Sequence, residues 1–227
     1  MGRTIDRIVD DQAKRWTFLA SQQDQTGKAQ VPKPILTISR QFGSGAAALA
    51  KTLSEKLGYS LWDHELLHAV ASDHKMSDRL VASFDEHRRN VIGEIVGNLV
   101  LVNRSQGDYV RSLAKTFQSI AIHGGAVVVG RGARFLLKPE QIFSVLVVAP
   151  IELRIKNIVE RGFTLAEAEK KAIEVDRERA DFIRQNFHHA ADDPVDYDLV
   201  VNTGRLTMAG AFEVVITGLK ARFADRL

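Results

Sequence analysis

The chain has 227 residues, 45 % of them hydrophobic and 26 % charged, with a formal net charge of +3; this is the balance of a globular protein large enough for one α/β domain with or without an appendage. No apolar run approaches the roughly 18 residues of a membrane span, and the lack of cysteine excludes disulfides and thiolate metal sites. The charged opening RTIDRIVDDQAKRW has no signal-peptide middle, so cytoplasm is the default compartment, and the small net charge with interspersed acids gives no reason to expect nucleic acid.

Residues 1–20 are expected to form a short amphipathic helix with Ile5, Ile8, Val9, Trp16 and Leu19 as its apolar positions. SQQDQTGKAQVPKP (21–34) is almost devoid of apolar residues, holds Pro32 and Pro34, and reads as a linker or mobile arm. An N-terminal helix and polar linker over 1–34 would then precede a domain over 35–227. In that domain ILTIS (35–39) has a buried-strand pattern, and GAAALAKTLSEKLG (45–58) has helical spacing with a stop at Gly58. YSLW (59–62) is a second strand candidate, followed by HELLHAVASDHK as a helix. Residues 76–123 read as helical with breaks near 85–89 and 104–108. AVVVG (126–130) and SVLVVA (144–149) are the next strands, IELRIKNIVERG (151–162) a helix, and 164–186 a long charged helix that Thr164 and Glu167 can open as a capping box. DLVVNT (198–203) is the fifth strand and 206–226 a closing helix. Strands rich in β-branched residues and separated by helices argue for a doubly wound parallel sheet.

The segment from Ile35 to Leu57 is a strand, a glycine-containing turn and a helix, the local arrangement that holds phosphate on orphan helix amides. The usual phosphate loop reads G-x-x-x-x-G-K-[ST], with lysine on the terminal phosphates and the hydroxyl on magnesium. With Gly45 on the second glycine, Arg40 stands at the first, Ala46 at the lysine and Ala47 at the hydroxyl. Gly43, Ser44, Gly45 and Ala46 keep the backbone cradle, and Arg40 can add a fixed positive charge at the strand end. A tight turn that binds nothing explains the same glycines.

In chain order, ILTISRQFGSG, LGYSLWDHELL, VVVGRGARFLL, VLVVAPIELRIKNIVER, EVDRERADFIRQNF and DPVDYDLVVNT together resemble the cytidylate-kinase-like family, a branch of the P-loop nucleoside monophosphate kinases. The resemblance covers Ile35 to the C-terminus, most loosely over 76–120. It implies a P-loop NTPase-like three-layer α/β/α fold with a five-stranded parallel sheet, a helical insert and an arginine-bearing lid helix. It also implies small-molecule nucleotides as partners, with ATP and Mg2+ donating a phosphoryl group to CMP, dCMP or a related acceptor. Under it Asp63 lies near the bound monophosphate, although an N-cap for the following helix is an equal reading. Arg131, in Gly130-Arg131-Gly132, matches the family's G-R-D at its first two positions and would bind phosphate; Gly132 replaces the aspartate. Arg177, Arg179 and Arg184 become the lid arginines, with Arg177 and Arg184 on one helical face; Asp176, Glu178 and Asp181 among them fit a solvated charged surface as well.

Arg154 and Arg161 line one face of the preceding helix, with a surface role favoured. His188, His189, Asp192 and Asp193 read as a polar lid loop rather than a metal site, and Asp198 as a turn residue with a faint catalytic claim. No side chain is identified as a magnesium ligand. Three functions follow: a phosphotransferase; a nucleotide-binding module made inert by Ala46, Ala47 and Gly132; or an interaction protein that homodimerises through 88–123. In that last region Val91, Ile92, Ile95, Val96, Leu99, Val100 and Val102 offer a wide apolar surface that core packing also explains.

Overall fold

The computed structural model describes residues 4–26, 31–102 and 107–227, with the side chains of all but 19–26 and 98–102 among them. Its elements are α1 (Ile5–Thr26), β1 (Ile35–Arg40), α2 (Ala46–Leu57), β2 (Ser60–Trp62), α3 (His64–Ser72), α4 (His74–Ala82), α5 (Glu86–Val102), α6 (Asp108–His123), β3 (Ala126–Val129), α7 (Ala133–Leu136), β4 (Ile142–Val148), α8 (Ile151–Val159), α9 (Leu165–Phe187), β5 (Leu199–Asn202) and α10 (Met208–Phe223). They group into two units, residues 34–63 with 125–227, and residues 1–33 with 64–124.

The first of these is an α/β unit whose five strands run in the order β2-β3-β1-β4-β5, every neighbouring pair parallel. β1 is central, its Ile38 opposite Val129 of β3 and Val145 of β4. Alternate residues Leu36, Ile38, Val127, Val145 and Val147 meet Leu49, Leu53, Val215 and Leu219 of α2 and α10 in one core. The intervening residues Ile35, Val128 and Leu146 are buried too, which is why the strands read as continuous apolar runs rather than alternating ones. A small satellite core of Ile158, Ala168 and Ala172 joins α8 to α9, and Phe42 packs against it.

The second unit is helical. α6 lies centrally against α3, α4 and α5, burying Leu113, Phe117 and Ile120. α1 packs on α4, where Arg79 donates to Asp10 at 2.9 Å and Asp6 at 2.8 Å. Val9 and Trp16 are buried as their spacing predicts, and Trp16 stacks on His123 at 4.4 Å. The helix continues to Thr26, into the stretch expected to be a linker. Polar residues with moderate helix propensity readily extend a helix already nucleated by packing. At the far end of that stretch Lys33 pairs with Gly124 in an isolated parallel bridge.

The surface expected to dimerise is partly spent on packing. Ile92 and Val96 are buried while Val91 is exposed; the side chains of Leu99, Val100 and Val102 fall outside the description.

Candidate phosphate-binding site

The turn between β1 and α2 is built from Gln41 to Gly45. Gly43 and Gly45 have φ of 81° and 80°, the left-handed region that a side chain strains to enter. A Cβ on Gly43 would come within 2.5 Å of the Arg154 carbonyl oxygen, so α8 approaches the turn as closely as only glycine allows. Each loop residue is tied to a different element. Gln41 donates its amide to Val147 at 3.0 Å, and its side chain accepts from Ala149 at 3.0 Å. Phe42 donates its amide to Asp176 Oδ1 at 2.7 Å. Gly43 accepts from Asn157 Nδ2 at 2.8 Å, and Ser44 accepts from Thr203 Oγ1 at 2.7 Å. Gly45 caps α2 without a side-chain hydrogen bond, and Ala46 and Ala47 begin the helix with the orphan amides that attract anions.

Beside this turn the ends of β1 and β3 bring arginines together. β3 is followed by Gly130-Arg131-Gly132, with φ of 81°, 55° and 70°. The Arg40 side chain fills the space where Gly130 lacks a Cβ: a methyl there would sit 2.0 Å from Arg40 Nη1. Burial lowers the Arg40 pKa below the usual guanidinium value. The charges of Arg179 and Arg131 add to that effect, and the carboxylates of Asp176 and Asp63 oppose it. Burial lowers Arg179 as well, with Arg131 again adding to it and Asp176 and Glu178 opposing. Among the described residues Arg40 forms no ion pair. Arg179 lies 3.5 Å from Asp176 and donates to the Arg40 carbonyl at 3.2 Å. Three partly buried guanidiniums whose charges act on one another form a charge distribution that a multiply charged anion would relieve.

The expected site residues therefore separate. Arg40, Arg131 and Arg179 come together with the Gly43-Ser44-Gly45-Ala46 turn. Asp63, exposed at the end of β2, is close enough to act on Arg40 through its charge. Arg177 and Arg184 are exposed on α9 and stand apart, Arg184 paired with Asp181 one turn away. Seven-residue spacing does put these two on one face, but that face is the outer one; Ala168 and Ala172, both fully buried, mark the inner one, which Asp176 and Arg179 continue. Arg154 is not a surface residue. It is 8 % exposed, is ion-paired with Asp176, and donates to the Phe42 carbonyl at 3.4 Å.

Asp198 is a structural pin. Its Oδ2 accepts from the Ser144 amide at 2.7 Å and hydroxyl at 2.9 Å, and its Oδ1 pairs with Arg222. His189 lies 3.2 Å from Asp196 and packs on Phe135, and Asp193 caps a short turn by accepting from Val195. Sequence reasoning missed Asp176 and Phe42 as builders of the site. The available signal was the recurrence 168, 172, 176 along α9, in which two small apolar residues are followed at the same spacing by a carboxylate.

Nucleotide phosphates fit this site, which offers a glycine turn, orphan amides at the start of α2 and three arginines. A protein-held magnesium ion does not fit the turn in the usual way, because Ala47 and Gly132 carry no oxygen in their side chains. Among the described residues no group of three histidines or acids is placed to hold a metal. Among the described residues no helix is long and apolar enough to cross a membrane.

Sequence and structure comparisons agree with this architecture. A model of the cytidylate kinase-like family matches residues 35–205. The cytidylate kinase of Methanobrevibacter smithii is 24 % identical over 189 residues, spanning 82 % of this chain and 98 % of that protein. The cytidylate kinase of Aeropyrum pernix is 25 % identical over the same length and shares. A crystal structure of an uncharacterized protein from Eubacterium ventriosum superposes with a TM-score of 0.62 at 22 % identity, covering 83 % of this chain and 99 % of that one. The parallel sheet with its glycine turn after the central strand is the P-loop kinase fold, and the chain belongs to the cytidylate kinase-like family.

Proposed function

We propose that this protein is a cytoplasmic phosphotransferase that moves the γ-phosphoryl group of ATP, supplied with Mg2+, to CMP, dCMP or a related monophosphate. The observation that carries this reading is the convergence of Arg40, Arg131 and Arg179 beside the Gly43–Gly45 turn, at the carboxyl end of the parallel sheet where such folds bind ligands. The cytidylate kinases among its relatives support the choice of acceptor. In the reaction an oxygen of the acceptor phosphate bonds to the γ-phosphorus as the bond from that phosphorus to its bridging oxygen breaks, and ADP leaves with the electron pair. Such transfer needs positioning and charge neutralisation more than covalent help from the protein. Arg40, rooted at the first loop position, and Arg131, fixed between two glycines, supply positive charge in the absence of a loop lysine. Asp63 faces the acceptor. Arg177 and Arg184 have no part in this reading.

A second reading is binding without transfer, favoured by Ala46, Ala47 and Gly132. Each missing charge-stabilising group costs about a hundredfold or more in rate where nothing replaces it. Calorimetric titration with ATP and with CMP, run beside a coupled assay over all nucleoside monophosphates, separates the two. Turnover with a pyrimidine monophosphate supports transfer. Binding without turnover supports the second reading, and no binding of either nucleotide overturns both.

A further inference from the structure

In the sequence Asp176 is one of three acids, with Glu178 and Asp181, interspersed among the lid arginines. The structure gives it three partners at once. Its Oδ1 accepts the Phe42 amide at 2.7 Å, its Oδ2 takes the Arg154 guanidinium, and Arg179 Nη1 stands 3.5 Å from Oδ1. Arg154 returns to the same loop residue through the Phe42 carbonyl, and its Nε is buried without an acceptor, so Asp176 is the group that balances its charge. Arg179 spans from Asp176 to the Arg40 carbonyl. The Phe42 ring lies in the α8–α9 core, with the Arg179 guanidinium 5.5 Å above it. One carboxylate thereby fixes the loop backbone, the helix that braces Gly43 and the aim of one cluster arginine.

We infer that Asp176 is a positioning residue for the phosphate turn: it holds Phe42 and Arg179 in the arrangement that receives a nucleotide's phosphates, through α9 and without touching the ligand. The inference rests on the reading of this site as a phosphate site. It makes a prediction opposite in sign to simple electrostatics. Neutralising Asp176 makes the arginine cluster more positive, so if the carboxylate merely offset the arginines an anion would bind more tightly. As a positioning residue its loss releases the Phe42 amide and leaves Arg179 free among its rotamers, and the anion binds more weakly. Losing a hydrogen bond to a charged group costs about 1.5–3 kcal/mol, or roughly ten-fold and upward in affinity.

The test is calorimetric titration of the full chain with inorganic pyrophosphate, for the wild type, Asp176→Asn, Asp176→Glu and the double variant Asp176→Asn/Arg154→Gln. The double variant removes the buried cation that would otherwise be left unpaired and so guards against a failure to fold. The expected result is a dissociation constant about ten-fold weaker or more in Asp176→Asn and in the double variant, with stoichiometry still near one and partial recovery in Asp176→Glu. A purely structural role would lower the stoichiometry and leave the constant unchanged, and that result overturns the inference. Equal or tighter binding by folded Asp176→Asn or the double variant also overturns it, while leaving the site reading in place. No binding of pyrophosphate by the wild type overturns the site reading and this inference with it.

Discussion

At the scale of single residues, the geometry of the site depends on two glycines that leave room for arginines. Gly130 makes space for the Arg40 guanidinium, and Gly43 for the backbone of Arg154. Gly130→Ala is expected to push Arg40 out of its place, and Arg40→Ala to remove its charge. Each should weaken pyrophosphate binding about ten-fold or more, as loss of a charged hydrogen bond does. Arg40→Ala should leave the melting temperature unchanged or higher, because a half-buried arginine beside the like charges of Arg179 and Arg131 costs stability. Titration calorimetry with parallel thermal melts checks both, and tight binding by Arg40→Ala would remove Arg40 from the site. The turn's two glycines and Arg131 were legible in the sequence because local spacing and residue type announce them. Asp176 was not, because its loop partner Phe42 lies 134 residues away and no local pattern encodes that meeting. The outward placement of Arg177 and Arg184 was not legible for a related reason: periodicity tells which residues share a helical face but not which face turns inward.

At the scale of elements, α9 is the piece that reaches the site, and its start was readable. Thr164 accepts from the Glu167 amide at 3.3 Å, while Glu167 accepts from the Thr164 amide at 2.8 Å. Thr164→Ala should cost about 1 kcal/mol of stability and leave pyrophosphate affinity untouched, measured by urea denaturation and calorimetry. A loss of affinity would mean that the far end of α9 controls the site. In the helical unit His123 stacks on Trp16 at 4.4 Å and on Phe84 at 4.8 Å, and those two rings lie 6.2 Å from each other. Burial, with a smaller contribution from the Arg88 charge, lowers its pKa from 6.5 to about 4. Below pH 6.5 the unfolded chain takes up a proton on His123 that the folded stack refuses until about pH 4. Stability from this group is therefore complete above 6.5 and declines as the pH falls through that window. Thermal melts of the wild type from pH 7 to 4 should show this decline, and His123→Phe should flatten it while keeping the stack. An unchanged slope in the variant would assign the pH dependence to other groups. The reach of α1 to Thr26 was not legible, since its later residues carry no apolar pattern.

At the scale of the whole molecule, the α/β unit was the most legible part. Buried parallel strands declare themselves as short β-branched runs, and each of the five falls where ILTIS, YSLW, AVVVG, SVLVVA and DLVVNT stand. The division into units was less so, because residues 1–33 cluster with 64–124 through contacts between segments far apart in sequence. The function proposed above has arginines stand in for the usual loop lysine. The most direct test is to follow ATP and CMP with the protein by 31P NMR in the presence of Mg2+. The expected result is loss of the ATP γ-phosphate and CMP signals with ADP and CDP growing in equal amounts, abolished in Arg131→Ala. ATP and CMP persisting unchanged at a protein concentration that binds both would contradict phosphoryl transfer.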